Sequence, residues 1–334
     1  MFKLRDEDAA KKIIELIKKE NVNLRFMHVC GTHQDTLVRF GIEQMLKDTG
    51  VEIRQGPGCP VCVTTADEIA DAITLANSGV TIAVFGDMMK VPTPIGSLAD
   101  AKSNGADVRI VYSIEDAVRL SSEVDKMVFM AIGFETTSPT TAAVMVEDLP
   151  ENFSVYSCHR ILLPALQAII NMGEFHIDGL IEPGHVAVIT GTKIFDEFSV
   201  KYNIPQVVTG FEPLDLLMAT YMLVKQIKEG RADVENEYKR LVKPEGNVKA
   251  FNLVNEVFKP VDRAWRGFPM IPLSAYDLRE KYDDHNARKI YEDLLSKRAP
   301  VKEEIGGCRC GEMLRGIIDP EQCPAFGKAC NPRY

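Results

Sequence analysis

Apolar positions along this chain fall into short runs separated by stretches with helical spacing. Residues 6–20 predict an amphipathic helix. Ile13, Ile14, Leu16 and Ile17 lie close to one face, Asp6 and Asp8 suit its start, and Lys18 and Lys19 suit its end. The apolar runs at 26–29, 80–85, 108–112, 127–132, 153–157, 185–189 and 206–208 predict strands. Each is followed by a glycine, a polar turn or a helix-starting residue. Alternation of this kind implies βαβ units and mostly parallel sheets buried on both faces. Residues 34–47 predict a helix after the first strand. From about residue 215 the periodicity is helical, at 216–227, 233–241 and 248–258. Lys259-Pro260 and the run 267–272, near the sole Trp265, break it. The remainder is charged and loop-rich until a cysteine-bearing tail.

A short internal echo accompanies this pattern. Met130-Ala131-Ile132-Gly133-Phe134-Glu135 and Val207-Val208-Thr209-Gly210-Phe211-Glu212 both run strand, Gly-Phe-Glu, helix. Cys30-Gly31-Thr32 and Thr190-Gly191-Thr192 give a fainter one. Two α/β halves of similar topology explain the echo; two unrelated βα turns explain it as well. Loops after strand carboxy ends line the ligand crevice of such sheets. Cys30, Glu135 and Glu212 all fall on such loops and are expected to face one cleft.

Composition narrows the class. The 334 residues, 46% hydrophobic and 26% charged, are those of an ordinary globular protein. A net charge of −9, with no basic stripe, argues against a nucleic-acid partner. No apolar run approaches the ~18–20 residues of a membrane span. The first residues lack the order of a signal peptide, which leads us to expect a cytoplasmic protein. There, thiols are reduced, metal-bound or catalytic.

The eight cysteines then carry the chemistry. Cys308, Cys310, Cys323 and Cys330 follow the spacing C-x-C-x12-C-x6-C. With glycines supplying bends, four thiolates can converge on one metal centre. An iron–sulfur cluster is the first reading, because zinc favours paired C-x2–4-C knuckles and Cys323 precedes a proline. Zinc, or no metal, remains open. Cys59-Pro60-Val61-Cys62 places two sulfurs where they can form a disulfide or share a metal, and a helix beginning at Thr64 or Thr65 would lower their pKa values. A redox pair is the sharper reading; half of a zinc site completed by Cys30 and His33 is the alternative.

Cys30 follows a strand and opens a helix, whose dipole and free N–H groups favour a thiolate. His33 is a candidate base or ligand, or a hydrogen-bonded side chain; His28 reads as structural. Glu135, Thr136 and Thr137 form a polar turn suited to a small anion or a partner, or a plain helix start. His185, in Glu182-Pro183-Gly184-His185, is either a site residue or the start of a strand, and Glu212 is a further cleft candidate. Cys158-His159 reads as core. The absence of a Walker loop and of G-x-G-x-x-G points away from nucleotides.

The motifs His28-Val29-Cys30-Gly31-Thr32-His33-Gln34, Gly56-Pro57-Gly58-Cys59-Pro60-Val61-Cys62, Gly133-Phe134-Glu135-Thr136-Thr137-Ser138-Pro139 and Pro183-Gly184-His185-Val186 resemble the signature segments of the HypD family of [NiFe]-hydrogenase maturation proteins. So do Gly210-Phe211-Glu212-Pro213 and Cys323-Pro324-x-Phe326-Gly327-Lys328-x-Cys330. The resemblance implies a scaffold for the Fe(CN)2CO moiety of the hydrogenase active site. Iron would be held by Cys30 together with a HypC-type small chaperone. A HypE-type protein would donate cyanide, and the hydrogenase large subunit would be served indirectly. Cys59 and Cys62 would pass electrons from a [4Fe–4S] cluster, with His33 and Glu135 supporting the site. The family tail continues past the position of Cys330 with a further cysteine, whereas this sequence ends at Tyr334. By the family pattern Cys310, Cys323 and Cys330 would be ligands. The fourth would be Cys308, a non-protein ligand or a partner's thiol.

The expected fold is α/β: two similar parallel-sheet domains in pseudo-symmetric arrangement, plus a smaller helical and loop domain with the cysteine cluster. The expected segments are 1–24, a helix packing with the C-terminal domain; 25–130, carrying Cys30 and the C-x-x-C pair; 131–265, the second α/β domain; and 266–334, the cluster domain. Such a scaffold is a stoichiometric carrier as much as an enzyme. Two other functions fit the residues: an iron–sulfur-dependent thiol–disulfide oxidoreductase, and a zinc-stabilised interaction module.

Overall fold

The computed structural model describes residues 5–301 and 306–331; positions 1–4 of the first expected segment and 332–334 of the tail lie outside them. Among the described residues the strands are β1 Leu24–His28, β2 Val51–Gln55, β3 Thr81–Phe85, β4 Val108–Val111, β5 Met127–Gly133, β6 Phe153–His159, β7 Gly179–Pro183, β8 Gln206–Thr209, β9 Val234–Asn236, β10 Phe258–Ala264 and β11 Met270–Leu278. They form two separate parallel sheets and one antiparallel hairpin. The fold is therefore α/β, as the alternation implies. No helix among the described residues is long and apolar enough to cross a membrane.

The chain divides into two interleaved compact units. One comprises residues up to Cys59, Ile169–Val248 and Gly311–Asp319; the other comprises Pro60–Ala168, Lys249–Cys310 and residues from Pro320 onward. These do not follow the consecutive segments 25–130, 131–265 and 266–334. The reason is strand pairing: β1 bonds to β7 through Phe26↔Gly179, Met27↔Leu180 and His28↔Ile181, so one sheet gathers residues far apart in sequence.

The first unit holds the sheet β2-β1-β7-β8-β9, all parallel. Its central strands β7 and β8 are buried along their whole length; β8 reads as an apolar run, whereas β7 is not among the expected strands because Glu182 and Pro183 interrupt its apolar pattern. The two edges escape that signal. β2 alternates Val51 and Ile53 inward with Glu52 and Arg54 outward, and β9 is only Val-Glu-Asn. Charges of this kind are tolerated at a sheet edge. The expected helix 233–241 is replaced by β9 and the turn after it. The expected strand 185–189 is instead the helix Gly184–Thr190, because β7 ends at Pro183 and the chain must leave the sheet there. Helix 34–47 is divided into Gly31–Arg39 and Ile42–Lys47 by left-handed Gly41.

The N-terminal helix, Glu7–Lys19, is capped by Asp6, which accepts from the Ala9 N–H at 3.0 Å. Its buried Ile13 and Ile17 pack with Leu216, Leu217 and Leu223 of the helix Pro213–Lys228. Its apolar stripe matches the stripe of that helix, so the two pack together within one unit. The tail segment 311–319 is tied to the same unit at the amino ends of β1 and β7. Arg25 donates to the Gly316 carbonyl at 2.5 Å, and the His176 N–H donates to the Arg315 carbonyl at 2.7 Å.

The second unit holds the parallel sheet β4-β3-β5-β6 and the hairpin β10–β11. Its sheet is covered on both faces. One face packs Ile69, Ile73, Leu75 and Leu98 against Val84 and Met130, and the other packs Phe129 and Phe153 against Val257 and Phe258. A buried ionic network runs through this unit. Glu68, on the helix Ala66–Asn77, accepts from Arg160 at 2.5 Å and from Arg288 at 3.0 Å. Burial alone would push the Glu68 carboxyl up, but the two guanidinium groups outweigh it and hold it at about 2. The stability Glu68 contributes is therefore fully present above the ordinary carboxylate pKa and is lost as pH falls toward 2. We predict that Glu68→Ala, which strands Arg160 in the interior, costs about 3–5 kcal/mol in urea-unfolding free energy at pH 7. The gap between the two proteins should narrow progressively below pH 4.5. A constant gap from pH 7 to pH 3 would contradict the assignment.

Candidate functional site

In the first unit every loop that follows a strand leaves the sheet at its carboxy end. From β1 the chain goes outward to β2, and from β7 it goes the opposite way to β8. Where connections diverge, a parallel sheet leaves a crevice between the two strands. Cys30 follows β1 and His185 follows β7, and their Sγ and Nδ1 atoms are 4.0 Å apart. The Gly56–Cys59 run after β2 lies against the same strand end. A Cβ on Gly58 would sit 1.8 Å from the Val29 carbonyl oxygen, so only glycine permits this approach. Cys59 is thereby seated beside the start of the Gly31–Arg39 helix, its Cβ 3.8 Å from the position a Gly31 Cβ would occupy.

The imidazoles around Cys30 are fixed in place. His28 Nδ1 accepts from the Cys30 N–H at 3.4 Å, and its Nε2 donates to Gln34 Oε1 at 2.7 Å. His33 Nε2 donates to the Gly210 carbonyl at 3.0 Å, with the Phe211 ring 5.1 Å away centroid to centroid. Phe211 also stacks against His185 at 4.9 Å, and Thr36 donates to its carbonyl at 2.7 Å. Burial lowers the pKa of His28 and of His185 to about 4 and that of His33 further. All three are neutral at pH 7 and carry a lone pair, the form in which imidazole binds metals. Burial also pushes the Cys30 thiol up, against the His33 and Thr32 N–H groups that favour the thiolate. The helix terminus is present as expected, but desolvation outweighs it. A metal ion would reverse that balance by displacing the proton.

Cys59 and Cys62 are joined as a disulfide, the oxidised form of the expected redox pair. Cys62 lies on the short helix Pro60–Val63. The following helix starts at Ala66, capped by Thr65 in a capping box with Glu68. While oxidised, the pair does not offer the two thiolates that a zinc site shared with Cys30 and His33 would need.

Glu135, Thr136 and Thr137 lie in the second unit, after β5, at the switch point between β3 and β5 of its sheet. Glu135 is buried and accepts from the Leu162 N–H at 3.0 Å, at the start of the helix Leu162–Asn171. Burial pushes its carboxyl up to about 7. The Thr136 and Thr137 hydroxyls are 3.4 Å apart. Glu212, at the matching turn of the first unit, is half-buried, pairs with Arg5 at 2.5 Å and forms a capping box with Asp215. The two Gly-Phe-Glu turns thus share a place in the topology but not an environment.

Cys308, Cys310, Cys323 and Cys330 are free thiols. The sulfurs of Cys308 and Cys310 are 3.2 Å apart. Burial raises the Cys310 thiol to about 12, helped by Cys308, Cys330 and Cys323 nearby. Cys323 is lowered by the N–H groups of Arg309, Ala325 and Phe326. Four neighbouring thiols, one already favoured as thiolate, are a donor set that suits a soft metal centre. In the arrangement described, no group of three or more His, Cys, Asp or Glu side chains among the described residues is placed to hold a metal ion. Cys158 is buried core, as read from the sequence.

Several site residues carry no sequence signal. Glu237 and Arg240 follow the short β9, and Tyr238 packs on Phe211. Only the sheet pairing brings them to Gly210.

A family model named HypD, described as "Hydrogenase formation hypA family", matches residues 7–334. The chain is 45% identical to a putative hydrogenase expression/formation protein of Methanocaldococcus jannaschii, over 99% of this chain and 93% of that protein. It is 40% identical to the hydrogenase maturation factor HypD of Rhizobium leguminosarum bv. viciae, over 98% and 87%. It is 39% identical to the HypD of Escherichia coli, over 93% and 84%.

Thiol reactivity tests the electrostatics of this site. In the native protein at pH 8 we expect iodoacetamide to label Cys323 first, and Cys30 at least about tenfold more slowly, as read by peptide mass spectrometry. Equal rates would mean that Cys30 is neither buried nor raised.

Proposed function

The chain belongs to the HypD family of hydrogenase-formation proteins, and on that footing we propose that it is the scaffold on which the Fe(CN)2CO moiety of a [NiFe]-hydrogenase is assembled. The observation that carries the reading is Cys30 at the β1–β7 switch point, with His185 Nδ1 4.0 Å from its sulfur and Cys59 close by. Iron is the cargo. Thiolate and neutral imidazole are donors that a low-valent iron with strong-field ligands accepts. A HypC-type partner would contribute a second thiolate and a HypE-type partner would deliver cyanide, before transfer toward the hydrogenase large subunit.

Cys59 and Cys62 serve as a two-electron store. Reduction of their disulfide takes up two electrons and two protons and yields two thiols; reoxidation returns the electrons beside Cys30. Cys308, Cys310, Cys323 and Cys330 are the residues that would hold a [4Fe–4S] cluster, and such a cluster would supply electrons singly. Burial of Cys30 keeps the bound iron from water and stray thiols. Glu135, whose carboxyl burial raises to about 7 so that a neutral fraction persists at pH 7, and Thr136 and Thr137 offer donors for a partner at the second sheet.

A second reading, a thiol–disulfide oxidoreductase, is favoured by the disulfide itself. The two are separated by infrared spectroscopy on protein purified anaerobically with its HypC-type partner. We expect cyanide and carbonyl stretching bands in the wild type, their loss in Cys30→Ala, and inorganic sulfide in both. Disulfide cycling without any diatomic bands in the wild type would sink the scaffold and leave the oxidoreductase.

A further inference from the structure

His33 has an asymmetry that its role as a helix residue does not require. One ring nitrogen, Nε2, is satisfied by the Gly210 carbonyl. The other, Nδ1, is fully buried and has no hydrogen-bond partner. A buried polar atom left unpaired is costly, and native proteins keep few of them. Donation of one ring N–H to a backbone carbonyl is how a protein fixes a histidine tautomer so that the opposite lone pair stays available.

The carbonyl that does this is itself held. The Gly210 N–H donates to Glu237 Oε2 at 3.2 Å, and the Thr209 hydroxyl lies 3.1 Å from the same oxygen. Glu237 is anchored through its own N–H, which donates to the Val208 carbonyl at 2.8 Å, and its side chain is only 13% exposed. Arg240 closes the arrangement. It lies 3.8 Å from Glu237 Oε1, forms an ion pair with buried Asp215, and covers the Tyr238 ring at 4.3 Å. Gly210 is trapped between these groups: a Cβ there would fall 2.1 Å from Asp215 Oδ2 and 2.7 Å from an Arg240 nitrogen. A carboxylate and a guanidinium, both drawn from the far edge of the sheet, thus converge on the peptide whose carbonyl accepts from His33.

We propose that Glu237, held by Arg240, is a positioning residue for the Cys30 centre: it clamps the Gly210 peptide so that His33 stays in the Nε2–H tautomer and keeps an unprotonated lone pair on Nδ1. Cys30 is the helix N-cap and His33 lies three residues on, so the two side chains share one face of the first turn. A rotated Gly210 carbonyl would release the Nε2 proton and let Nδ1 take it, removing a donor from the neighbourhood of the thiol. Neither Glu237 nor Arg240 touches iron in this scheme. Its consequence for iron rests on the scaffold reading above; its consequence for the tautomer does not.

The test uses the full chain, labelled with 15N-histidine and free of metal, and reads His33 by long-range proton–nitrogen correlation. His33→Gln provides the assignment. The wild type should show the Nε2–H tautomer, Glu237→Gln should preserve it because the amide oxygen still accepts from Gly210, and Glu237→Ala should give a mixture. Retention of iron(II) by the same proteins with the HypC-type partner should fall about tenfold or more in Glu237→Ala and recover in Glu237→Gln. A merely structural Glu237 would lower the melting temperature and leave tautomer and iron retention alone. If the alanine variant does not fold, Arg240→Gln loosens the clamp from its solvent side and is read in the same way. An Nδ1–H tautomer in the wild type, or an unchanged tautomer in a folded clamp variant, overturns the proposal. Failure of the wild type to retain iron through Cys30 overturns the scaffold reading and leaves the tautomer result standing.

Discussion

The Cys30 site depends on the hydrogen bonding of β1 between β2 and β7. The register Phe26↔Gly179, Met27↔Leu180, His28↔Ile181 brings the end of β1 level with the end of β7. Side chains that leave consecutive carboxy ends then face one another, and the outward turns to β2 on one side and β8 on the other keep the space between them open. Slipping that register by one residue would turn every β1 side chain to the opposite face. Phe26 and Met27 would exchange core environments, and the Cys30 turn would no longer meet His185.

Around that constraint the unit is organised to be dry rather than charged. The three imidazoles are neutral because they are buried, and the thiol is protonated for the same reason. Charge is kept one layer back, in Glu237, Asp215 and Arg240, where it acts on a backbone peptide instead of on the thiol. Such a site favours a ligand that brings positive charge and takes the thiol proton's place. The close approach of Gly58 to Val29 seats the Cys59–Cys62 disulfide beside the start of the Gly31–Arg39 helix.

The second unit solves its stability differently. Buried Glu68 and Arg160 form an ionic centre with the partly buried Arg288, and Tyr156 and Asp71 extend it. It links the helix Ala66–Asn77, the end of β6 and residues near 288, three parts of the chain remote in sequence. Buried ion pairs of this kind contribute little net energy against an apolar alternative, but they are unforgiving of the loss of one member. That makes them suited to specifying which distant segments meet.

The strands β1, β3, β4, β5, β6 and β8, the N-terminal helix, the C-x-x-C pair, the tail thiols and the identity of Cys30 as a turn cysteine were legible in the sequence, because each is a local pattern: a buried strand gives an apolar run, and a motif is a spacing; the central β7 was not, because Glu182 and Pro183 break its run. The edge strands β2 and β9 were hidden by their charges, and residues 185–189 passed for a strand because Val and Ile favour one locally. The segment boundaries near 130 and 265 did not anticipate the interleaved units, since pairing between β1 and β7 leaves no mark on either strand. His185 as the neighbour of Cys30, the neutral state of the histidines, the raised thiol, and Glu237 behind Gly210 are outcomes of burial and long-range pairing. The sequence by itself determined which side chains have the chemistry for this site; only the tertiary structure decided which of them meet, and in which protonation state, because desolvation and strand order are properties of the packed chain and not of any segment of it.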